Sequence, residues 1–227
     1  ARRAYNGVDL DFYRPMSVPR SGRFLFVARF SSIKGADLGI EACKKANVGL
    51  DLIGDTSITN EPEFFEKCKK MCDWVCVPGD FSFKVSPFIG NNVPIEKQIR
   101  MYGPKSRSEC VHWFSQAYCF LHPNQRFREP FGLAPVEAMA CGCPVIAWRN
   151  GAMAETIKEN ETGWLVNSME GLTSRVAAVS QEGGVSLVPI TEQTRKRCRE
   201  WASQFSIQNM VNAYERLCEE ALETGGW

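Results

Sequence analysis

Six runs of four to seven mostly apolar residues, each separated from the next by a stretch that reads as helix, restrict this chain to a narrow set of architectures. The runs are "FLFVA" (24–28), "VGLDLIG" (48–54), "WVCV" (74–77), "YCFLH" (118–122), "PVIAW" (144–148) and "GWLV" (163–166). Their length and branched or aromatic content indicate strands. Helices are predicted near 35–46, 61–72, 106–116, 133–141, 152–159 and 169–180, with Gly and Pro between elements. Strands alternating with helices over short connectors predict a doubly wound parallel α/β sheet, Rossmann-like, with helices on both faces. Such sheets bind ligands at the carboxyl ends of their strands.

Two segments break the rhythm. Residues 79–100, rich in Gly and Pro, have no sustained period and read as a long connector or a small inserted hairpin. At the end of the chain Ser206 is a plausible N-cap, and Ile207, Met210, Val211, Tyr214, Leu217, Cys218 and Ala221 recur at spacings of three and four. That spacing predicts an amphipathic helix with an apolar stripe to bury.

Charge and cysteine content exclude several classes. Twenty-seven Lys and Arg against twenty-six Asp and Glu leave a formal charge of +1, so no whole-molecule field draws the chain to nucleic acid or an anionic membrane. No apolar run approaches the ~20 residues that cross a bilayer, and the opening "ARRAYNGVDL" lacks a signal-peptide core, which points to the cytoplasm. An opening Ala1 suggests part of a longer gene product. Ten cysteines scattered through 227 residues do not form a secreted disulfide scaffold. "CKKMCDWVC" places Cys68 and Cys72 on one helical face, but the reading preferred over zinc is that of small core residues.

"REPFGLAPVEAMACG" (128–142) carries the chemistry. Gly142 suits a helix C-terminus and Pro135 is tolerated only in a first turn, so a helix should begin near Gly132 or Leu133. Its start leaves the amides of Phe131, Gly132 and Leu133 free, with about half a positive charge from the aligned peptides. A phosphate can approach there closely because Gly132 lacks a Cβ. Glu129 lies before the helix and Glu137 within it, and a carboxylate accepts well from vicinal hydroxyls. In "VARFSSIKG", Arg29 follows the first strand and Lys34 precedes the next helix, both on the predicted ligand edge, where two cations suit a diphosphate. Hydroxyls at both ends and charge in the middle describe a nucleotide sugar.

"NGVDLDFYRP" (6–15), "VARFSSIKGADLGIEA" (27–42), "LIGD" (52–55), "REPFGLAPVEAMACGCPVIA" (128–147), "NGAMAETIKENETGWLV" (150–166) and "QFSIQNMVNAYERL" (204–217) resemble, in order, the C-terminal half of retaining GT-B glycosyltransferases of the GT4 type. The resemblance implies that Arg29 and Lys34 hold the diphosphate and that Phe131, Gly132 and Leu133 supply backbone donors. It implies that Glu137 binds ribose hydroxyls and that Glu129, the expected catalytic residue, sits beside the donor sugar. The loops near Gly54 and around Tyr102 to Lys105 would border the base, and Gly151 to Glu155 would be structural. Pro130 stands where the family often has glycine and removes one N–H, so phosphate binding would lean on the two cations.

The implied reaction is metal-independent, retaining hexosyl transfer from a UDP-, GDP- or ADP-sugar, with no cofactor and no metal. The acceptor would be held by the chain's own N-terminal domain, so the domain alone is expected to be inactive. On this reading residues 1–22 lead in, 23–205 form the nucleotide-sugar-binding domain, and 206–227 form a helix that packs toward that N-terminal domain. The alternatives are a catalytically silent nucleotide-sugar-binding or interaction module and a fragment of a GT-B sugar-nucleotide epimerase, because fold alone does not give function.

Overall fold

The computed structural model describes residues 3–56, 61–77, 93–180 and 190–224. Seven strands form one sheet: β1 (Phe24–Val27), β2 (Leu50–Ile53), β3 (Trp74–Cys76), β4 (Ile99–Tyr102), β5 (Cys119–His122), β6 (Val145–Trp148) and β7 (Gly163–Val166). Their order is β3-β4-β2-β1-β5-β6-β7, and every pairing is parallel. The helices are α1 (Ala36–Lys45), α2 (Pro62–Met71), α3 (Arg107–Gln116), α4 (Leu133–Ala140), α5 (Met153–Thr156), α6 (Met169–Val179), α7 (Glu192–Ala202) and α8 (Ile207–Thr224). None of them is long and apolar enough to cross a membrane.

The alternation of side chains along the strands divides the core in two. Phe24 and Phe26 of β1, Leu121 of β5 and Ile146 of β6 face one apolar layer. Leu25, Phe120 and Val145 face the other. Because both faces are covered, the strands read as continuous apolar runs. The layered parallel sheet agrees with the fold expected from the alternation.

Three expectations need correction. The stretch taken as a connector ends in a strand: β4 lies between β3 and β2, in register Leu50↔Ile99 through Ile53↔Tyr102. It is four residues long and carries Arg100, so its apolar signal is weak. Buried Arg23 holds the approach to this strand: its guanidinium bonds both Asp51 oxygens at 2.9 and 2.8 Å and the Ile95, Glu96 and Gln98 carbonyls at 2.9, 3.0 and 2.7 Å. The rest of the connector, 79–92, lies outside the described residues.

Second, α7 was not foreseen. Its sequence "EQTRKRCREWA" has little apolar content, and the face it buries is Arg195, Cys198 and Ala202. Arg195 donates to the Gly142 carbonyl at 3.1 Å and Arg199 to the Ala140 carbonyl at 3.0 Å. Cations at the carbonyl end of α4 satisfy its orphan acceptors and oppose its dipole.

Third, the helix expected over 152–159 stops after one turn. Thr162 competes for the backbone there, its hydroxyl accepting from the Lys158 amide at 3.0 Å while its own amide donates to the Lys158 carbonyl at 2.9 Å.

The tail forms α8, and the Ser206 hydroxyl accepts from the Asn209 amide at 3.1 Å, as expected of an N-cap. No described residue of α8 is buried, and Ile207, Val211, Tyr214 and Leu222 lie exposed. The leading segment packs beside it: Val8 bridges Ser206, and Val8 and Tyr13 are buried in the second layer. Seven of the ten cysteines are buried, Cys68 and Cys72 among them.

Candidate functional site

The chain leaves β1 toward β2 and leaves β5 toward β6, on opposite sides, which makes the gap between β1 and β5 the switch point of the sheet. Two loops meet there. Gly35, at φ 73°, lets them close, since a Cβ on it would stand 2.3 Å from the Pro123 carbonyl oxygen. Arg126 of the second loop then reaches the first, bonding both Asp37 oxygens at 2.9 and 3.0 Å and the Ser32 carbonyl at 2.8 Å. Lys67 adds a third contact to Asp37 at 2.8 Å. Burial alone would raise the Asp37 carboxyl, but the bonds from Arg126 and Lys67 hold it below its ordinary value.

Glu129 sits under this staple. Its Oε2 accepts from Lys34 Nζ at 2.7 Å and Asn124 Nδ2 at 3.1 Å, and His122 Nε2 faces it at 3.5 Å. That last separation is an approach rather than a hydrogen bond, and the buried His122 Nε2 has no hydrogen-bond partner among the described residues. His122 and Lys34 bring the Glu129 carboxyl down to about 2, against a burial that pushes it up. Burial likewise keeps His122 below its usual value, with the Glu129 carboxylate beside it working the other way. All three neighbours crowd Oε2. No donor among the described residues reaches Oε1.

The backbone of Glu129 is set by Gly151. Its φ is 62°, and a Cβ there would lie 2.1 Å from the Glu129 carbonyl oxygen, which accepts from the Ala152 amide at 2.8 Å. Gly151→Ala is therefore expected to lower stability by at least about 1 kcal/mol from the left-handed backbone alone, and to displace Glu129 as well. A thermal melt and a ligand titration of that variant check both effects. An unchanged melting temperature would contradict the packing.

Helix α4 opens on Gly132, at φ 86° and ψ 71°, and closes at Gly142, at φ 76°. Pro135 lies in the first turn, as expected. The Phe131 ring packs between Tyr5 and Phe205, at 6.1 and 5.6 Å, which fixes the helix mouth. No acceptor among the described residues takes the amides of Phe131, Gly132 or Leu133. Leu133 is 46% exposed, so the mouth is open. Glu137 follows one turn later on the face of Leu133. Burial pushes its carboxyl above the usual value, and the Tyr13 hydroxyl and the Arg107 charge beside it work the other way.

The structure therefore brings Lys34, Glu129 and the Gly132 mouth of α4 to one place, a Cβ on Gly132 lying 3.5 Å from Glu129 Cγ. Lys34 is not the free point charge pictured from the sequence, since it donates a hydrogen bond to Glu129. Arg29 is exposed at the end of β1. The sequence reading missed Asn124, His122, Tyr13, Arg107 and the Asp37–Arg126 staple. "LHPN" held a usable signal, because His122 and Asn124, two apart at a strand end, project to the same side.

Residues 90–205, just over half of the chain, match the family model described as glycosyl transferases group 1. Among curated relatives, an uncharacterized glycosyltransferase of Methanocaldococcus jannaschii is 25% identical over 95% of this chain and 52% of its own length. D-inositol 3-phosphate glycosyltransferase 2 of Catenulispora acidiphila is 30% identical over 70% of this chain and 37% of its own. The chain spans about half the length of the curated relatives it matches. Among solved structures, Anabaena HepE in complex with UDP superposes with a TM-score of 0.71 at 19% identity, over 97% of this chain and 57% of that one. The C-terminal domain of a group 1 family glycosyl transferase from Francisella tularensis has a TM-score of 0.61 at 19% identity, over 88% of this chain and all of that one.

Proposed function

The chain belongs to the glycosyl transferases group 1 family, and on that premise we propose that it is the donor-binding half of a retaining glycosyltransferase, taking a nucleoside diphosphate sugar at the gap between β1 and β5. One observation carries the reading: among the described residues, a lysine–glutamate pair with one free carboxylate oxygen stands beside three unpaired amides at a helix mouth.

In this assignment the diphosphate rests on the amides of Phe131, Gly132 and Leu133 and is clamped by Arg29 and Lys34. A lysine ammonium has three donors. One goes to Glu129 and two remain for phosphate oxygens, so Lys34 links the carboxylate to the diphosphate. Glu129 turns Oε1 to a hydroxyl of the donor sugar, and Glu137 takes the ribose hydroxyls. As the glycosidic bond breaks, charge grows on the departing diphosphate, where fixed amides and cations stabilise it most. These cations fill the role that a divalent metal plays elsewhere, and the acceptor hydroxyl attacks from the face the diphosphate leaves, giving its proton to a departing phosphate oxygen. The acceptor is held by a separate N-terminal domain, which the exposed stripe of α8 is expected to meet.

Calorimetry against UDP, GDP and ADP and their glucose conjugates tests the reading. UDP comes first, since Anabaena HepE holds UDP and UDP-glucose. One base series is expected to bind, with Glu137→Ala and Lys34→Ala each weakening it by about 1–3 kcal/mol. Equal, negligible heats from a folded chain would favour a silent module. Strict dependence on added magnesium would contradict the cation clamp.

A further inference from the structure

Strand β1 pairs with β5 through Phe24↔Cys119 and Leu25↔Phe120, and the ladder stops two residues short of the end of either strand, at Val27 and at His122. Beyond that point the two carboxyl ends are held together by what their loops bring. Lys34 stands on one side, at the end of the short turn Ser32–Lys34 that leads into α1, and Glu129 stands on the other. Their 2.7 Å bond depends on how that turn is seated.

Arg126 seats it. Nη1 donates to the Ser32 carbonyl at 2.8 Å, within the turn, and the guanidinium grips both Asp37 oxygens just beyond it, Nη1 at 2.9 Å and Nη2 at 3.0 Å. The Ser32 amide is taken from another element, donating to Glu61 Oε2 at 2.8 Å, so both backbone polar groups of one turn residue are anchored by side chains from outside. Arg126 is itself aimed. Asn150 Nδ2 donates to the carbonyls on either side of it, Gln125 at 3.0 Å and Phe127 at 2.9 Å, which ties this loop to the end of β6. The pair is bidentate and the Asp37 side chain is only 5% exposed, unlike an isolated surface bridge.

We propose that Arg126 is a positioning residue for Lys34: by locking the Ser32–Lys34 turn onto the loop that carries Glu129, it keeps the ammonium where one lysine bridges the carboxylate and the diphosphate of the donor. The inference rests on the donor-site reading above. Without the lock, only a fraction of molecules presents the ammonium correctly, and apparent affinity falls by that fraction.

The whole chain and its variants are titrated by calorimetry with UDP and with inorganic pyrophosphate, or with GDP or ADP if that series is the one bound. Arg126→Met is expected to weaken both ligands about tenfold, the loss for a presenting fraction of about one tenth. Asp37→Ala, which leaves the Ser32 contact in place, should weaken both by less. In a Lys34→Ala background neither substitution should cost anything further, because the group they position is gone. Full affinity in Arg126→Met, or a loss that adds to that of Lys34→Ala, overturns the positioning role and leaves the donor site standing. A loss in Arg126→Met with none in Asp37→Ala would mean that Arg126 meets phosphate itself, and overturns it too. No loss from Lys34→Ala removes both readings. The carbon-13 signal of the Glu129 carboxylate gives a readout without ligand. Lys34, His122 and Asn124 face that carboxylate, and Lys34 alone stands on the turn. The titration midpoint should rise in Arg126→Met as Lys34 swings away, and an unmoved midpoint overturns the proposal. Should Arg126→Met not fold, Asp37→Ala is read in the same cycle and by the same signal.

Discussion

Arg23→Met is expected to lower unfolding free energy by about 3–5 kcal/mol, the range for breaking a buried ion pair from one side. Both partners are nearly inaccessible, with side-chain exposures of 7% and 6%. The substitution leaves the Asp51 carboxylate buried without its two guanidinium bonds. It also strips donors from the Leu50, Ile95, Glu96 and Gln98 carbonyls, four acceptors the arginine now satisfies. Urea unfolding measures the loss as a shift in midpoint. Hydrogen exchange should show it first at β4, because the arginine holds that strand's approach to β2. Adding Asp51→Asn removes the stranded charge and should restore part of the stability. A midpoint unmoved by Arg23→Met would mean that β4 is held by its neighbours alone.

Lys34→Met tests the centre of the site through pH. The Glu129 carboxyl is held near 2 against an ordinary 4.5, a difference worth about 3 kcal/mol at neutral pH. Its value when folded lies below its value when unfolded. The stabilisation is therefore complete above about pH 4.5 and fades as pH falls toward 2. Without the ammonium, Glu129 loses its charged partner, so the variant should be less stable than the parent at pH 7. The two stability curves should converge between about pH 4.5 and 2. Donor binding should weaken as well. Lys34→Met combined with Glu129→Gln separates the roles: stability should recover, since no buried charge is left unpaired, while diphosphate affinity should not. Parallel curves across that pH window would show that the pair contributes nothing to folding.

Reading the sequence succeeded where the signal is local. Strands β1, β2, β5, β6 and β7 are short, mostly apolar runs bounded by turn residues, and buried parallel strands look like that. The mouth of α4 was legible because Gly132, Pro135 and Gly142 each act on the backbone where they stand. Strand β4 was hidden because "IRMY" alternates apolar with polar, and only its place between β3 and β2 makes it a strand. Helix α7 was hidden for the opposite reason: its buried face carries an arginine, stable there because carbonyls of other elements wait for it.

The candidate site divides in the same way. Glu129, Glu137, Arg29, Lys34 and the three open amides could be chosen from residue type and spacing near predicted turns. That Lys34 donates a hydrogen bond to Glu129, ninety-five positions away in sequence, could not. Nor could the crowding of three neighbours on one carboxylate oxygen.

By itself the sequence determined the layered parallel architecture and named the edge and the charged groups proposed here for a ligand. Those follow from backbone preferences and side-chain periodicity, which act over a few residues. Only the tertiary structure decided which charges are already paired, which oxygen stays open and which buried groups hold them. Such pairings depend on distances of a few ångströms between elements far apart along the chain, and electrostatic and hydrogen-bond energies are set by those distances.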